Sequence, residues 1–237
     1  VEGNEIIRVK NPLIVDEGWA SAKFSDEDVI FGFSDLRENS VIKFVRKNGK
    51  VEWEREIPMT SYFLLRSDKE LGIVCIFNDN KIKPYQIYAY CIGWDGNVKW
   101  RTPLEIGGIV DIEFKKSNHE IFISSCAGYL WNISALSGRI LWKYKEYWAP
   151  DIHAKSWSND VPRFREIAIF GDELIVKGRP YGRNKFSKLF FFDNKGNKLL
   201  DTHNYHRITY LQLYREKIYI VSEKALHGIR IKKDIQK

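Results

Sequence analysis

Residues 48–53 read NGKVEW, and residues 95–100 read DGNVKW. In both, a two-residue turn signal runs into a valine and then a tryptophan. The pattern returns as SGRILW at 137–142 and, without its tryptophan, as KGNKLL at 195–200. Each glycine supplies the positive φ that a tight hairpin needs. The residues two and four places beyond it then fall on one strand face: Val51 and Trp53, Val98 and Trp100, Ile140 and Trp142, Lys198 and Leu200.

A second family of turns is interleaved with the first. FSDEDVIFGF, RSDKELGIVC, KSNHEIFISS, FGDELIVKG and YREKIYIVS each enter an alternating apolar run from a polar turn. Strand-like stretches precede them (GWASAKF, SYFLLR, GIVDIEF, REIAIF, ITYLQLY), and others (SVIKFVR, QIYAYCI, GYLWNIS, KLFFFD) lie between the two turn families. Each unit therefore reads as four short antiparallel strands. The corresponding positions Val29, Leu71, Ile121, Leu174 and Ile218 are 42, 50, 53 and 44 residues apart. A four-stranded unit at this period is the signature of a β-propeller, whose blades bury both faces only against neighbours. Helical patterning is nearly absent, and no 10 to 15 residue amphipathic segment separates the strands as a parallel sheet would require.

The expected fold class is all-β, a five-bladed β-propeller of four-stranded antiparallel blades. The blades fall at about 17–57, 60–103, 107–145, 164–202 and 206–232, in a single domain over 1–237. The fifth unit lacks a good last strand, and the missing strand stands at the other end of the chain. Aligning GNEIIRVKNP (3–12) with GKVEWEREIP (49–58) puts Gly3 with Gly49, Ile7 with Trp53 and Pro12 with Pro58. Residues 4–11 are thus expected to complete the last blade, which closes the ring and removes an exposed sheet edge. A ring of six to eight blades, built from a longer chain or from two chains, is the structural alternative.

Composition sets outer bounds. The chain has 237 residues, 44% of them hydrophobic, which is ample for a packed core. No apolar run approaches the roughly 20 residues that span a bilayer, so membrane insertion is not expected. The first residues, VEGNEIIRVK, lack the pattern of a signal peptide, although a chain beginning at valine is compatible with a removed leader. Net charge is +7, which permits contact with nucleic acid, yet lysine and arginine are scattered among acids as on solvated strand faces. Cys75, Cys91 and Cys126 are odd in number, lie in or beside strand-like runs and form no CxxC pair. They read as buried free thiols of a reducing compartment, hence a cytoplasmic location, and not as a zinc site.

The strand, the G-K-x-x-W pattern and the following turn resemble the repeats of the quinoprotein-like (PQQ-like) β-propeller superfamily. Gly49, Lys50 and Trp53, Gly96 and Trp100, and Gly138 and Trp142 carry the resemblance. It implies blade architecture. The quinoprotein dehydrogenases of that superfamily would imply eight blades, a quinone, calcium and vicinal cysteines. This chain is too short for that ring and has no adjacent cysteine pair, so no cofactor is expected and the tryptophans read as wedges between blades.

Candidate function lies in the irregular sequence. In a meander of this kind the connections between units share a face with the second-to-third strand loops. The longest connection is EYWAPDIHAKSWSNDVPRF (146–164), far longer than EIPMT or RTPLEI, and loops of this length in compact domains are commonly functional. It contains Tyr147, Trp148, His153, Trp157, Asp160 and Arg163. On the same face the sequence places Lys81, Lys83, Arg179, Tyr181, Arg183 and Lys185, with His203, Tyr205 and His206. The expected partner-binding set is Trp148, His153, Trp157, Arg163, Arg179, Tyr181, Arg183, His203 and Tyr205. Such a basic, aromatic rim would supply the anchors of a protein interface or stack a nucleic-acid strand. The bland alternative is that the tryptophans seal the loop and the lysines are solvated turn residues.

His203 and His206 beside Asp201 have metal-like spacing, but two histidines on a loop do not make a site, and no metal is expected. The Asn132-Ile133-Ser134 sequon falls on a strand and is discounted. GxSxG, HExxH, P-loop and dinucleotide motifs are absent. Some five-bladed propellers are glycosidases with carboxylates in the central funnel, for which Asp16, Glu17, Asp111 and Glu166 are the candidates. The expected function is non-catalytic binding of a macromolecular partner, a protein, through the face carrying 146–164. Glycoside hydrolysis and nucleic-acid binding are the alternatives, and nothing in the sequence sets an oligomeric state.

Overall fold

The structure, a computed structural model, describes residues 18–24, 28–35, 39–46, 48–58, 63–79, 86–105, 109–146, 162–180, 186–202, 205–206, 208–214, 217–222 and 226–230. Alternating apolar residues between turns give strands, and consecutive strands pair into five antiparallel sheets. The first sheet holds β1 (Gly18–Phe24), β2 (Asp28–Asp35), β3 (Asn39–Arg46) and β4 (Val51–Pro58). The second holds β5 (Phe63–Asp68), β6 (Gly72–Asp79), β7 (Gln86–Ile92) and β8 (Val98–Leu104). The third holds β9 (Ile109–Lys115), β10 (Glu120–Ser125), β11 (Tyr129–Ser134) and β12 (Ile140–Lys145). In the fourth, β13 (Pro162–Phe170), β14 (Glu173–Pro180), β15 (Phe186–Phe192) and β16 (Lys198–Asp201) pair in order. The two-residue β17 (Tyr205–His206) returns to pair with β15. The fifth has three described strands, β18 (Ile208–Tyr214), β19 (Lys217–Ser222) and β20 (Leu226–Arg230).

Within each sheet consecutive strands pair in chain order, with β17 off that path in the fourth. Residues 4–11 lie outside the described residues. One difference is β17: Tyr205 and His206 were expected on an irregular loop. Because β16 has only four residues and reaches no further than Phe190 on β15, the unpaired edge at Phe186 and Ser187 is left for the returning chain. The one described helical element is a single 3-10 turn at Lys116–Asn118, ended by His119 at φ 52.

The chain forms two compact units, Val1–Ile106 with Leu136–Gly138, and Gly107–Ala135 with Arg139–Lys237. In each, first strands of successive sheets adjoin: β1 beside β5 in the first unit, β9 beside β13 and β13 beside β18 in the second. Last strands carry the exposure, including Val51, Leu141 and every residue of β16. In the first unit Ile42, Phe44, Leu65, Ile73 and Ile92 form the core, with Trp53 and Trp94 against them. In the second, Leu130, Phe164, Val176, Phe190 and Phe192 fill the space between the third and fourth sheets. Full burial of such side chains contributes roughly 1.5–3 kcal/mol each.

The NG-type turns are three-residue hairpin loops closed by a glycine bulge. In the first, Gly49 N–H donates to Arg46 O (2.8 Å) and Arg46 N–H to Lys50 O (2.9 Å), with Gly49 at φ +82 and a register shift just before the loop. Gly96 and Gly196 repeat this at φ +81 and +83. The third loop is one residue longer, because Ser134 N–H reaches Arg139 O. Acidic or amide side chains brace the loops. Asn48 Oδ1 accepts from Lys50 N–H, and Asp95 accepts from Asn97 N–H, which holds the Asp95 carboxyl below its usual range. The fourth loop keeps its shape without Asx before the glycine, since Asp193, the residue that closes the loop on its first side, accepts from the N–H groups of Lys195 and Asn197.

Each tryptophan lies on the glycine turn of the following repeat. A Cβ on Gly96 would stand 3.0 Å from Trp53 Cγ, one on Gly138 would stand 2.7 Å from Trp100 Cδ2, and one on Gly196 would stand 2.5 Å from Trp142 Cδ2. The indole N–H of Trp53 donates to Trp94 O (2.9 Å) and that of Trp142 to Asn194 O (3.0 Å). Arg55 reinforces the first contact through Gly96 O, and Thr102 Oγ1 the second through Gly138 O. Glycine is thus required twice at these positions, by the turn and by the ring lying on it.

Candidate functional site

The connection at 146–164 starts and ends on fixed points, both in the second unit. At its start, β12 delivers Tyr144 and then Glu146. Glu146 N–H donates to Gly128 O (3.0 Å) in the loop between β10 and β11, so this connection does begin beside a second-to-third strand loop. That loop is itself shaped by Ser125 Oγ, which accepts from the N–H groups of Ala127 and Tyr129. Glu146 is nine-tenths buried. Its Oε2 accepts from Tyr144 OH (2.5 Å) and from Lys198 Nζ on β16 (3.0 Å). Burial, then the bond to the Glu146 carboxylate, pushes the Tyr144 phenol up to about 12. Desolvation works against the Lys198 ammonium, yet the Glu146 carboxylate outweighs it and raises the lysine.

The return end is a β-bulge. On β13 the register jumps from Phe164 opposite Gly178 to Ile167 opposite Val176, so Arg165 and Glu166 together oppose Lys177. A bulge frees backbone groups from the ladder, and β9 and β10 satisfy them. Asp111 Oδ2 accepts from Ile167 N–H (3.0 Å) and Ser124 Oγ donates to Arg165 O (3.2 Å). Glu166 pairs with Lys177 Nζ, whose side chain is only 5% exposed. Nearby, Lys115 of β9 pairs with Asp172 (2.9 Å) in the turn after β13.

These contacts redefine two of the proposed acids. Asp111 is buried, and its Oδ1 also accepts from Ile112 N–H, so both carboxylate oxygens serve backbone donors. Glu166 is held by Lys177. Asp16 and Glu17 lie outside the described residues.

Of the expected partner-binding set, Arg163 and Arg179 lie directly opposite each other in the β13–β14 register, one position beyond the facing pair Phe164 and Gly178. Tyr205 is on β17 opposite Ser187. Trp148, His153, Trp157, Tyr181, Arg183 and His203 lie outside the described residues, as do Lys81, Lys83 and Lys185. The anchors Glu146, Lys198, Ser124 and Lys177 carried no signal in the sequence, since each partner comes from a different strand. Among the described residues no cluster of His, Cys, Asp or Glu could hold a metal ion. No helix among them is long and apolar enough to cross a membrane. Asn132 of the sequon is 1% exposed. All three cysteines are free thiols; burial raises the Cys75 thiol far above its ordinary range and the Cys91 thiol to about 11.

No protein-family model matches the chain, and no curated protein matches it. Among solved structures it is similar to BamB from Moraxella catarrhalis, at 12% identity over 86% of this chain and 70% of that one, with a TM-score of 0.47.

Proposed function

We propose that the chain is a non-catalytic β-propeller that binds a protein partner through the face carrying residues 146–164. In this reading the five sheets are blades of one domain, the fifth completed by residues 4–11. The adjoining first strands and the exposed last strands suit a radial arrangement. The free thiols suit a cytoplasmic protein.

The observation that carries the binding role is the double anchoring of the long connection. Glu146 holds its start to β16 and to the β10–β11 loop, and the bulge at 165–167 holds its end to β9 and β10. A loop that carries two tryptophans, a histidine and an arginine and that leaves and returns at rigid points is suited to present anchor residues at low entropic cost. Binding is favoured over hydrolysis because Asp111 and Glu166, two of the four candidate carboxylates, already have structural partners.

The test is a combined Trp148→Ala, Trp157→Ala, Arg179→Ala variant compared with the wild type for retention of a partner identified by crosslinking. Loss of that partner with an unchanged melting temperature is the expected result. Retained binding overturns the reading, and so does loss of folding, which would make these residues structural. Capture that vanishes on nuclease treatment and falls steeply with salt would assign the face to nucleic acid instead.

A further inference from the structure

The sequence contains a single Asn-Gly step, Asn48-Gly49, and it stands at the tip of the first hairpin loop. Both residues are exposed, and no described atom lies within 4 Å of where a Cβ on Gly49 would be. Gly96, Gly138 and Gly196 each have an indole lying on them. Of the four turns, the first is thus the one that no described ring holds down.

Asn48 Oδ1 accepts from Lys50 N–H (3.0 Å), which closes a ring containing Asn48 Cγ and Gly49 N. The same bond draws electron density from Cγ. An electrophilic carbon beside a backbone nitrogen that carries no bulky residue is what cyclic imide formation needs. The hairpin opposes it, because Gly49 N–H is given to Arg46 O (2.8 Å) and Arg46 N–H to Lys50 O (2.9 Å). Exposed backbone bonds of this kind open locally far more often than the chain unfolds.

We propose that Asn48 is a modification site, which deamidates without an enzyme and becomes, as isoaspartate, a substrate for a carboxyl methyltransferase directed at that residue. In the opened turn Gly49 N loses its proton and bonds to Asn48 Cγ. The Cγ–Nδ2 bond breaks, and the side-chain nitrogen leaves as ammonia with that proton. Water then opens the imide: cleavage at Cγ–N gives aspartate, and cleavage at the Asn48 C–N bond leaves the chain running through Cγ as isoaspartate. Aspartate suits the loop, since Asp95 makes in the second turn the bond that Asn48 makes in the first. It adds one negative charge to a turn where Arg46 and Lys50 pair with Glu52. Isoaspartate adds a carbon to the backbone of a three-residue loop, so the two bonds of Arg46 lose their register. Asp95-Gly96 is protected from the parallel reaction. Its imide forms only from the protonated acid, with loss of water, while the bonds from Asn97 hold the Asp95 carboxyl below its usual range and the Trp53 ring covers Gly96.

The test is to age the folded full chain and a free peptide of residues 44–53 side by side in isotopically heavy water, with label mapped by peptide mass spectrometry. Methyl transfer by a purified isoaspartyl methyltransferase is measured on the same samples. Two hydrogen bonds of ordinary strength guard the turn, so label at position 48 should appear about 5- to 150-fold more slowly in the folded chain than in the peptide. Methyl acceptance should rise with the label and be absent in Asn48→Ser. A slower rate than this range, or label at Asp95 ahead of Asn48, would overturn the site. Label without methyl acceptance would overturn the isoaspartate step, and a rate equal to the peptide's would overturn the guarding role of the turn.

Discussion

Replacing Gly196 with alanine perturbs the fold in two separable ways. The glycine sits at φ +83, and an L-residue held in the left-handed region costs roughly 1–2 kcal/mol. The new methyl also stands 2.5 Å from Trp142 Cδ2 and 2.7 Å from Cε3, so the indole must move. Movement loses its bond to Asn194 O, about 1 kcal/mol, and crowds the packing against Phe122, about 1–3 kcal/mol. Gly196→Ala should therefore cost about 3–6 kcal/mol in the intact protein. In a Trp142→Ala background, which itself costs about 2–4 kcal/mol because the indole is only half-buried, the same change should cost only the backbone part, about 1–2 kcal/mol. Equilibrium urea unfolding of the four proteins, followed by far-UV circular dichroism, gives the coupling directly. A cycle that closes to within about 0.5 kcal/mol of additivity would refute the claim that the ring rests on the turn.

Lys198→Met should cost about 1–3 kcal/mol in the same assay, because the buried Glu146 carboxylate would keep Tyr144 as its only side-chain donor among the described residues. Tyr144 and Lys198 both bind their protons more tightly when folded than when unfolded, so their stabilisation is fully present below about pH 10 and is lost as pH rises towards 12. Tyr144→Phe should flatten that loss in stability measured across pH 10–12, and an unchanged slope would count against it. Asn132 is buried with neither Nδ2 nor Oδ1 bonded to any described residue, and it lies between Phe122 and Trp142 in the ladder. Asn132→Leu should raise stability by about 1–2 kcal/mol, read as the urea midpoint at constant slope; a loss would mean that the amide has a partner.

The strands and their order were legible because the information is local. Period-2 alternation sets each strand, and a glycine with positive φ sets each hairpin, so NGKVEW and its echoes locate sheets within a few residues. What tryptophan does was legible only in part. Its role as a packing wedge followed from size, but its choice of the next turn's glycine requires knowing how neighbouring sheets meet. The same limit governs the candidate site. Asp111 reads equally well as a catalytic acid and as an acceptor for a bulged strand, since nothing near it in sequence reveals that Ile167 N–H, 56 residues away, will need a partner. Glu146 is similar: its role depends on Lys198, which sits in the repeat that looked most degenerate. Arg163 and Arg179 were both selected for their chemistry, and their placement directly opposite each other on adjacent strands emerges only from the β13–β14 register.

The tryptophan contacts have a direction, since each begins in one repeat and ends on the glycine of the next. A duplication or deletion that inserts or removes one whole period leaves every such contact with a donor and a receiver. A cut elsewhere strands a ring on one fragment and an uncovered turn on the other. An excised repeat would therefore carry a sticky indole at one side and a bare hairpin at the other, and would tend to associate end to end with its own copies. The feature that joins the sheets thus also selects the length by which such a chain can grow in evolution, which is one repeat at a time.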